Sequence, residues 1–192
     1  DEVAAAVMEH FPGQVVIGAT TAGEIGDEGY LDGAIVGVGL PLGHFRAQIM
    51  VINDLDRFPE HLSIQDVLRL RGALAGMVPN WPNEFVFLLS DGLSLMEDRL
   101  VSALGPALGG APLFGGSAAD GIDFRRTCVL ADGAFRPNVA VLAFIRTDCR
   151  VKVFRFDHLV PTDTRMVVTE ADPANRIVRE INAEPAARAY AR

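Results

Sequence analysis

The feature that most constrains this chain is a phrase it carries twice. Val16-Ile17-Gly18-Ala19-Thr20-Thr21-Ala22-Gly23-Glu24-Ile25 returns as Leu113-Phe114-Gly115-Gly116-Ser117-Ala118-Ala119-Asp120-Gly121-Ile122. Setting Gly18 against Gly115 brings Thr20 opposite Ser117, Ala22 opposite Ala119 and Ile25 opposite Ile122. Each copy is an apolar run that breaks into small, hydroxyl-bearing and acidic residues. That is the pattern of a buried strand ending in a polar, backbone-rich loop. Two such loops predict two half-sites facing each other across a pseudo-twofold axis.

The likeness extends downstream. Ala34–Leu40 resembles Ala140–Arg146, and Phe45–Ile49 then stands opposite Val151–Arg155. The extra residues in the second copy fall around Thr127–Phe135, which reads as an inserted hairpin with Asp132-Gly133 at its turn. The pattern predicts a duplicated strand–loop–hairpin unit, with copies over about 1–80 and 85–182. The competing account is that Gly/Ala-rich α/β chains generate such matches by composition alone.

Around these loops the periodicities place the other elements. Val3, Val7, Met8 and Phe11 predict a helix over 2–11, stopped by Pro12-Gly13, followed by a buried strand from Val15 to Ala19. Residues 33–40 and 45–53 read as a hairpin across Pro41–His44. Val67, Leu68, Leu70, Leu74 and Met77 line one stripe of a helix from Ile64 to Val78. Phe85–Leu89 is the strongest strand signal and runs into Ser90-Asp91-Gly92, then a helix from Leu95 to Leu108 closed by Gly109-Gly110. Strands follow near 127–131, 138–146, 149–157, 165–171 and 176–182, with a helix beginning at 185–191. The expected fold class is α/β (α+β): a mixed, largely antiparallel sheet with flanking helices, built from two duplicated halves. The strand that should precede the first copy is missing, so the natural protein is expected to begin upstream of Asp1 and to continue past Arg192.

Charge narrows the partners. The net charge is −8, from 25 acidic against 17 basic residues, and every basic residue but Lys152 is Arg. Nucleic acid and anionic membrane surfaces are disfavoured, because no basic run supplies phosphate contacts. No apolar run is long enough to span a bilayer, and the acidic first residues are opposite to a signal peptide, so a cytoplasmic protein is expected. Cys128 and Cys149 have no CxxC or CxxH spacing and read as reduced, small hydrophobes rather than a disulfide or metal pair.

The ordered set Gly18–Ile25, Gly29-Tyr30, Ser90-Asp91-Gly92, Gly115–Asp120, Val168-Thr169 and Pro185-Ala186 through Tyr190 resembles the N-terminal half of the FIST (F-box and intracellular signal transduction) sensory domain. It covers nearly the whole chain in order. One departure is Ala19, where members often carry Cys, so a thiolate role is not available there. The resemblance implies a bacterial ligand-binding sensory module rather than an enzyme, with amino acids or similar metabolites as ligands. It also implies a FIST C-terminal half near Arg192, and a histidine kinase, cyclic-dinucleotide enzyme or methyl-accepting protein as signalling partner. Some bacterial members bind haem and sense nitric oxide.

The residues themselves make the two loops the candidate ligand site. Gly18, Gly23, Gly115, Gly116 and Gly121 let backbone N–H groups approach a ligand, while Thr20, Thr21 and Ser117 add hydroxyls. Glu24, Asp91 and Asp120 suit the ammonium of a zwitterion whose carboxylate sits on amides. The competing reading gives the glycines to tight turns and the acids to helix caps, Asp91 above all. Nucleotide binding is not supported, since neither loop matches a P-loop or the GxGxxG spacing. An enzyme using Thr20, Ser117 and Asp120 lacks a base nearby in sequence, because His10, His44, His61 and His158 all lie elsewhere, and Gly-x-Ser-x-Gly is absent. If haem is the cofactor, His44 and His158 are the candidate axial ligands; no other metal site is expected.

Overall fold

Ala140–Ile145 is apolar at every position, and the computed structural model, which describes residues 2–57, 62–157 and 159–191, shows why. This segment is an inner strand with both faces covered. The chain divides into two compact units, Asp1–Val153 and Phe154–Arg192.

In the first unit the order is α1 (Glu2–His10), β1 (Gly18–Ala19), β2 (Glu24–Gly26), β3 (Gly29–Leu31), β4 (Phe45–Ile52), α2 (Ile64–Met77), β5 (Asn83–Asp91), α3 (Glu97–Leu108), β6 (Leu113–Ala118), β7 (Val129–Ala131), β8 (Ala134–Arg136) and β9 (Ala140–Thr147). The main sheet has the order β4-β9-β5-β6. β9 is antiparallel to both β4 and β5, whereas β5 and β6 run parallel and are joined across α3. The fold is therefore α+β with mixed, largely antiparallel open sheets.

Alternation along the strands sorts the core into two layers. Val86, Leu88, Ala140, Leu142 and Phe144 face Val67 and Leu74 of α2 and Leu100, Leu104 and Leu108 of α3. On the opposite face Val139, Val141 and Ala118 pack with Val129 and Ala131, under the small sheet β1-β7-β8. Local chemistry sets the boundaries. Ser63 Oγ accepts from Asp66 N at 3.3 Å to cap α2, and α3 closes on Gly109 with φ 56°. Asp132 and Gly133, with φ 51° and 75°, form the two-residue turn between β7 and β8, as the Asp-Gly signal requires.

The second unit is an antiparallel sheet of β10 (Val168–Asp172), β11 (Ile177–Ile181) and β12 (Glu184–Pro185), followed by α4 (Ala186–Tyr190). Asp172 accepts from Asn175 N at 3.3 Å and from Asn175 Nδ2 at 2.9 Å, shaping the turn that opens the hairpin.

Several expectations change. Residues 33–40 carry no strand: His44 N and Phe45 N both close onto Pro41 O at 3.0 Å, which turns the chain away from a ladder with β4, and Val38 is left 88% exposed. The apolar run from Val15 contributes only Gly18–Ala19 to a strand, because its partner β7 is three residues long. Residues 149–157 form no strand; Cys149 N turns back onto Thr147 Oγ1 at 3.0 Å. A duplicated architecture is accordingly not shown. Gly18–Ala19 is a two-residue strand on β7, while its sequence counterpart lies in a six-residue strand of the main sheet. Among the described residues no helix is long and apolar enough to cross a membrane.

Candidate functional site

The two small-residue loops meet. Thr20 N donates to Cys128 O at 3.0 Å, and Cys128 N donates to Thr20 Oγ1 at 3.0 Å, extending the β1–β7 pairing by one residue. Ala119 N then donates to Thr20 O at 2.8 Å, which ties the first loop to the end of β6. The spatial pairing follows tertiary hydrogen bonds, not equivalent positions of a repeat.

Most of the polar groups read from the sequence are hydrogen-bonded within the protein around this junction. Asp91 is 4% exposed, and its carboxylate accepts from Leu93 N at 2.9 Å, from Thr127 Oγ1 and from Asn138 N. Asp120 accepts from the backbone N–H groups of Arg126, Arg125 and Phe124 at 2.7, 2.6 and 3.0 Å. Those donors, Arg126 first, hold the exposed Asp120 carboxyl below its ordinary pKa. Glu24 receives the Thr21 hydroxyl and Ala34 N, the latter at 3.2 Å. Ser117 Oγ lies 3.0 Å from Glu97 Oε1 and 3.4 Å from Ser90 Oγ. Each hydroxyl of the loops is thus paired with a carboxylate, another hydroxyl or backbone rather than an imidazole.

The glycines separate into two kinds. A Cβ on Gly115 would stand 1.8 Å from Leu88 O, so this glycine is what lets β6 lie against β5. Gly116 meets nothing within 4 Å, and at Gly18 the nearest atoms, from Leu130, are at an ordinary 3.6 Å.

Beside Thr20 lies an open depression of about 620 Å³ lined by Glu2, Val3, Thr20, Arg126, Cys128 and Phe135. Of these only Thr20 is legible from the sequence as a site residue. Arg126 arrives because the Asp120-capped loop ends there, and Glu2 because α1 packs beside the small sheet; neither carries a local signal. A second depression, about 370 Å³, is mostly apolar and lined by α1 residues, His10 among them, with Ile35.

His44 does not fit a haem site. Its side chain is 59% exposed, and its Nδ1 lies 2.9 and 3.1 Å from the two carboxylate oxygens of Asp148, a polar setting without an apolar slot for a porphyrin. The hydrogen bond from His44 is also what holds the Asp148 carboxyl below its ordinary pKa. His158 and His61 lie outside the described residues.

These features define an α+β domain with one βαβ crossover, whose two polar loops are joined by backbone hydrogen bonding. A family model described as the FIST N domain matches residues 1–184, and the chain belongs to that family. FIST domains are sensory domains in signal transduction and are not a known enzyme family. No curated protein and no solved structure matches the chain.

Proposed function

We propose that this chain senses a small zwitterion, an amino acid or similar metabolite, bound where the Thr20–Glu24 and Gly115–Asp120 loops join. The supporting observation is the depression of about 620 Å³ at Thr20, whose lining combines the charged Arg126 and Glu2 with the apolar Val3 and Phe135. A carboxylate suits the Arg126 guanidinium, an ammonium suits Glu2, and an apolar side chain suits the walls. In this reading Glu24, Asp91 and Asp120 position the loops, Gly18 lies half-buried in β1, and Gly116, Thr21 and Ser117 form the exposed surface. Ligand binding acts by stabilising one arrangement of the Thr20–Ala119 junction over another, and only that difference in affinity transmits a signal. The output passes to a FIST C-terminal half, and from there to a histidine kinase or a cyclic-dinucleotide signalling protein.

The test is a thermal-shift screen of amino acids, followed by calorimetry on hits. A ligand at a hundred times its Kd adds about 2.7 kcal/mol, which raises Tm by roughly 5–11 °C for a chain of this size. Arg126→Ala is expected to weaken binding about 10- to 100-fold, the value of a charged hydrogen bond, with Tm unchanged in the absence of ligand. Unchanged affinity in both Arg126→Ala and Glu2→Gln removes this site. Haem is the second reading, and what favours it is His10: this residue borders the mostly apolar depression, with Nδ1 2.8 Å from Ala6 O. A Soret band that His10→Ala abolishes would replace the zwitterion reading with that one.

A further inference from the structure

At the far end of the main sheet, three side chains of different donor chemistry converge. The register pairs Phe45 with Thr147, so His44 and Asp148 stand opposite each other one step beyond the β4–β9 ladder, and Cys149 follows at once. One ligand atom from each of His44, Asp148 and Cys149 lies within 4.8 Å of the others. His44 Nδ1 is 2.9 Å from Asp148 Oδ1, and Cys149 Sγ is 3.6 Å from the same oxygen.

The three are carried by fixed backbone. His44 N is held by Pro41 O at 3.0 Å, Cys149 N by Thr147 Oγ1 at 3.0 Å, and Cys149 O accepts from Asn83 Nδ2 at 2.7 Å. Thr147 itself is fully buried, which anchors the turn to the sheet. The side chains remain reachable: His44 and Asp148 are 59% and 41% exposed.

We propose that His44, Asp148 and Cys149 form a three-ligand site for a divalent transition metal of the zinc type, with the fourth position open to water or an exogenous ligand. Imidazole, carboxylate and thiolate together match a borderline-soft ion and mismatch the all-oxygen preference of magnesium and calcium. Metal–ligand bonds of about 2.0–2.3 Å in tetrahedral geometry separate ligand atoms by roughly 3.3–3.8 Å, so closing the triad requires side-chain shifts of about 1 Å. The proposal is independent of the zwitterion site. The β9 positions Ala140 and Thr147 mark the two ends of the sheet, about 24 Å apart at strand rise, with the Ser90–Ser117 end near the loops.

Cobalt(II) titration of the full 192-residue chain, followed by zinc competition, tests this. One equivalent of cobalt is expected to give a thiolate-to-cobalt charge-transfer band, which zinc then bleaches. Cys149→Ser is expected to abolish that band, and His44→Ala and Asp148→Asn to weaken zinc binding about tenfold or more. The buried Cys128 serves as the control, with the band retained in Cys128→Ser. Circular dichroism and Trp81 fluorescence establish that each variant is folded. Absence of the band in the folded protein, or its persistence in folded Cys149→Ser, overturns the site.

Discussion

Replacing Asp91 by Asn distinguishes a carboxylate that positions the loops from one that binds ligand. The side chains are nearly isosteric, so packing is conserved and only hydrogen-bond polarity changes. Oδ1 accepts from Leu93 N at 2.9 Å and from Thr127 Oγ1, and Oδ2 accepts from Asn138 N. Whichever way the new amide turns, its NH2 group faces a backbone N–H, that of Leu93 or that of Asn138. One charged hydrogen bond worth about 1.5–3 kcal/mol is lost, and a buried donor left unpaired adds about 1–3 kcal/mol. The expected loss is about 2.5–6 kcal/mol at a site 4% exposed. Urea unfolding monitored by Trp81, the single tryptophan, measures the unit that contains Asp91. Asp91→Asn should shift the midpoint down with m unchanged, while ligand affinity of the folded variant stays within about twofold. A stability within about 0.5 kcal/mol of the parent, combined with lost ligand affinity, would refute the structural assignment of this carboxylate.

Other expectations follow from the same geometry. Gly115→Ala should cost about 3 kcal/mol or more in the same urea assay, because the added Cβ would stand 1.8 Å from Leu88 O, whereas Gly116→Ala should cost under about 1 kcal/mol; equal costs would mean that the β5–β6 approach is not what requires the glycine. Arg71 Nε donates to Glu84 Oε1 at 2.6 Å, Nη2 donates to Oε2 at 3.3 Å, and Nη1 donates to Ala107 O. Glu84→Gln in this half-buried bridge should cost about 1–3 kcal/mol, read by urea unfolding, and a neutral result would place the pair among ion pairs without net value. Asp120 has a folded pKa below its ordinary 3.8, so its contribution to ordering the 120–126 loop is complete above that value and is lost as pH falls through the lower folded value. Amide resonances of Phe124, Arg125 and Arg126 should therefore titrate only below about pH 4 and lose this response in Asp120→Asn; a midpoint at or above the ordinary value would show that the backbone donors do not hold the carboxylate.

Short-range chemistry was legible without coordinates. The helix stripe ending at Pro79, the Asp132-Gly133 turn, the glycine closing α3 and the apolar strand at Phe85–Leu89 each depend on residues within about a turn of one another. The family was legible too, because an ordered set of small-residue loops survives as sequence. The two loops meet through Ala119 N and Thr20 O, and a symmetry inferred from their likeness is not the means by which they meet. Residues 33–40 and 149–157 show the limit: alternation advertises a strand, yet a ladder forms only where another backbone offers its donors and acceptors.

The hydrogen-bond partners of the individual polar groups come from tertiary structure alone. A carboxylate in sequence looks equally ready for a ligand or for the protein's own N–H groups. Asp91, Asp120 and Glu24 accept from the protein's own N–H groups because chain segments distant in sequence, or a loop folding back, brought those donors within reach. The depression at Thr20 and the cluster at His44 likewise exist only once the fold brings Glu2 and Arg126 to the lining of one depression and pairs β4 with β9. The sequence by itself determined the helices, the tight turns, the most strongly apolar strands and the family, because those properties rest on local periodicity and turn chemistry. Which groups stabilise the fold and which stay open to a partner was decided by strand register and burial, which assign each hydrogen-bonding atom its neighbour.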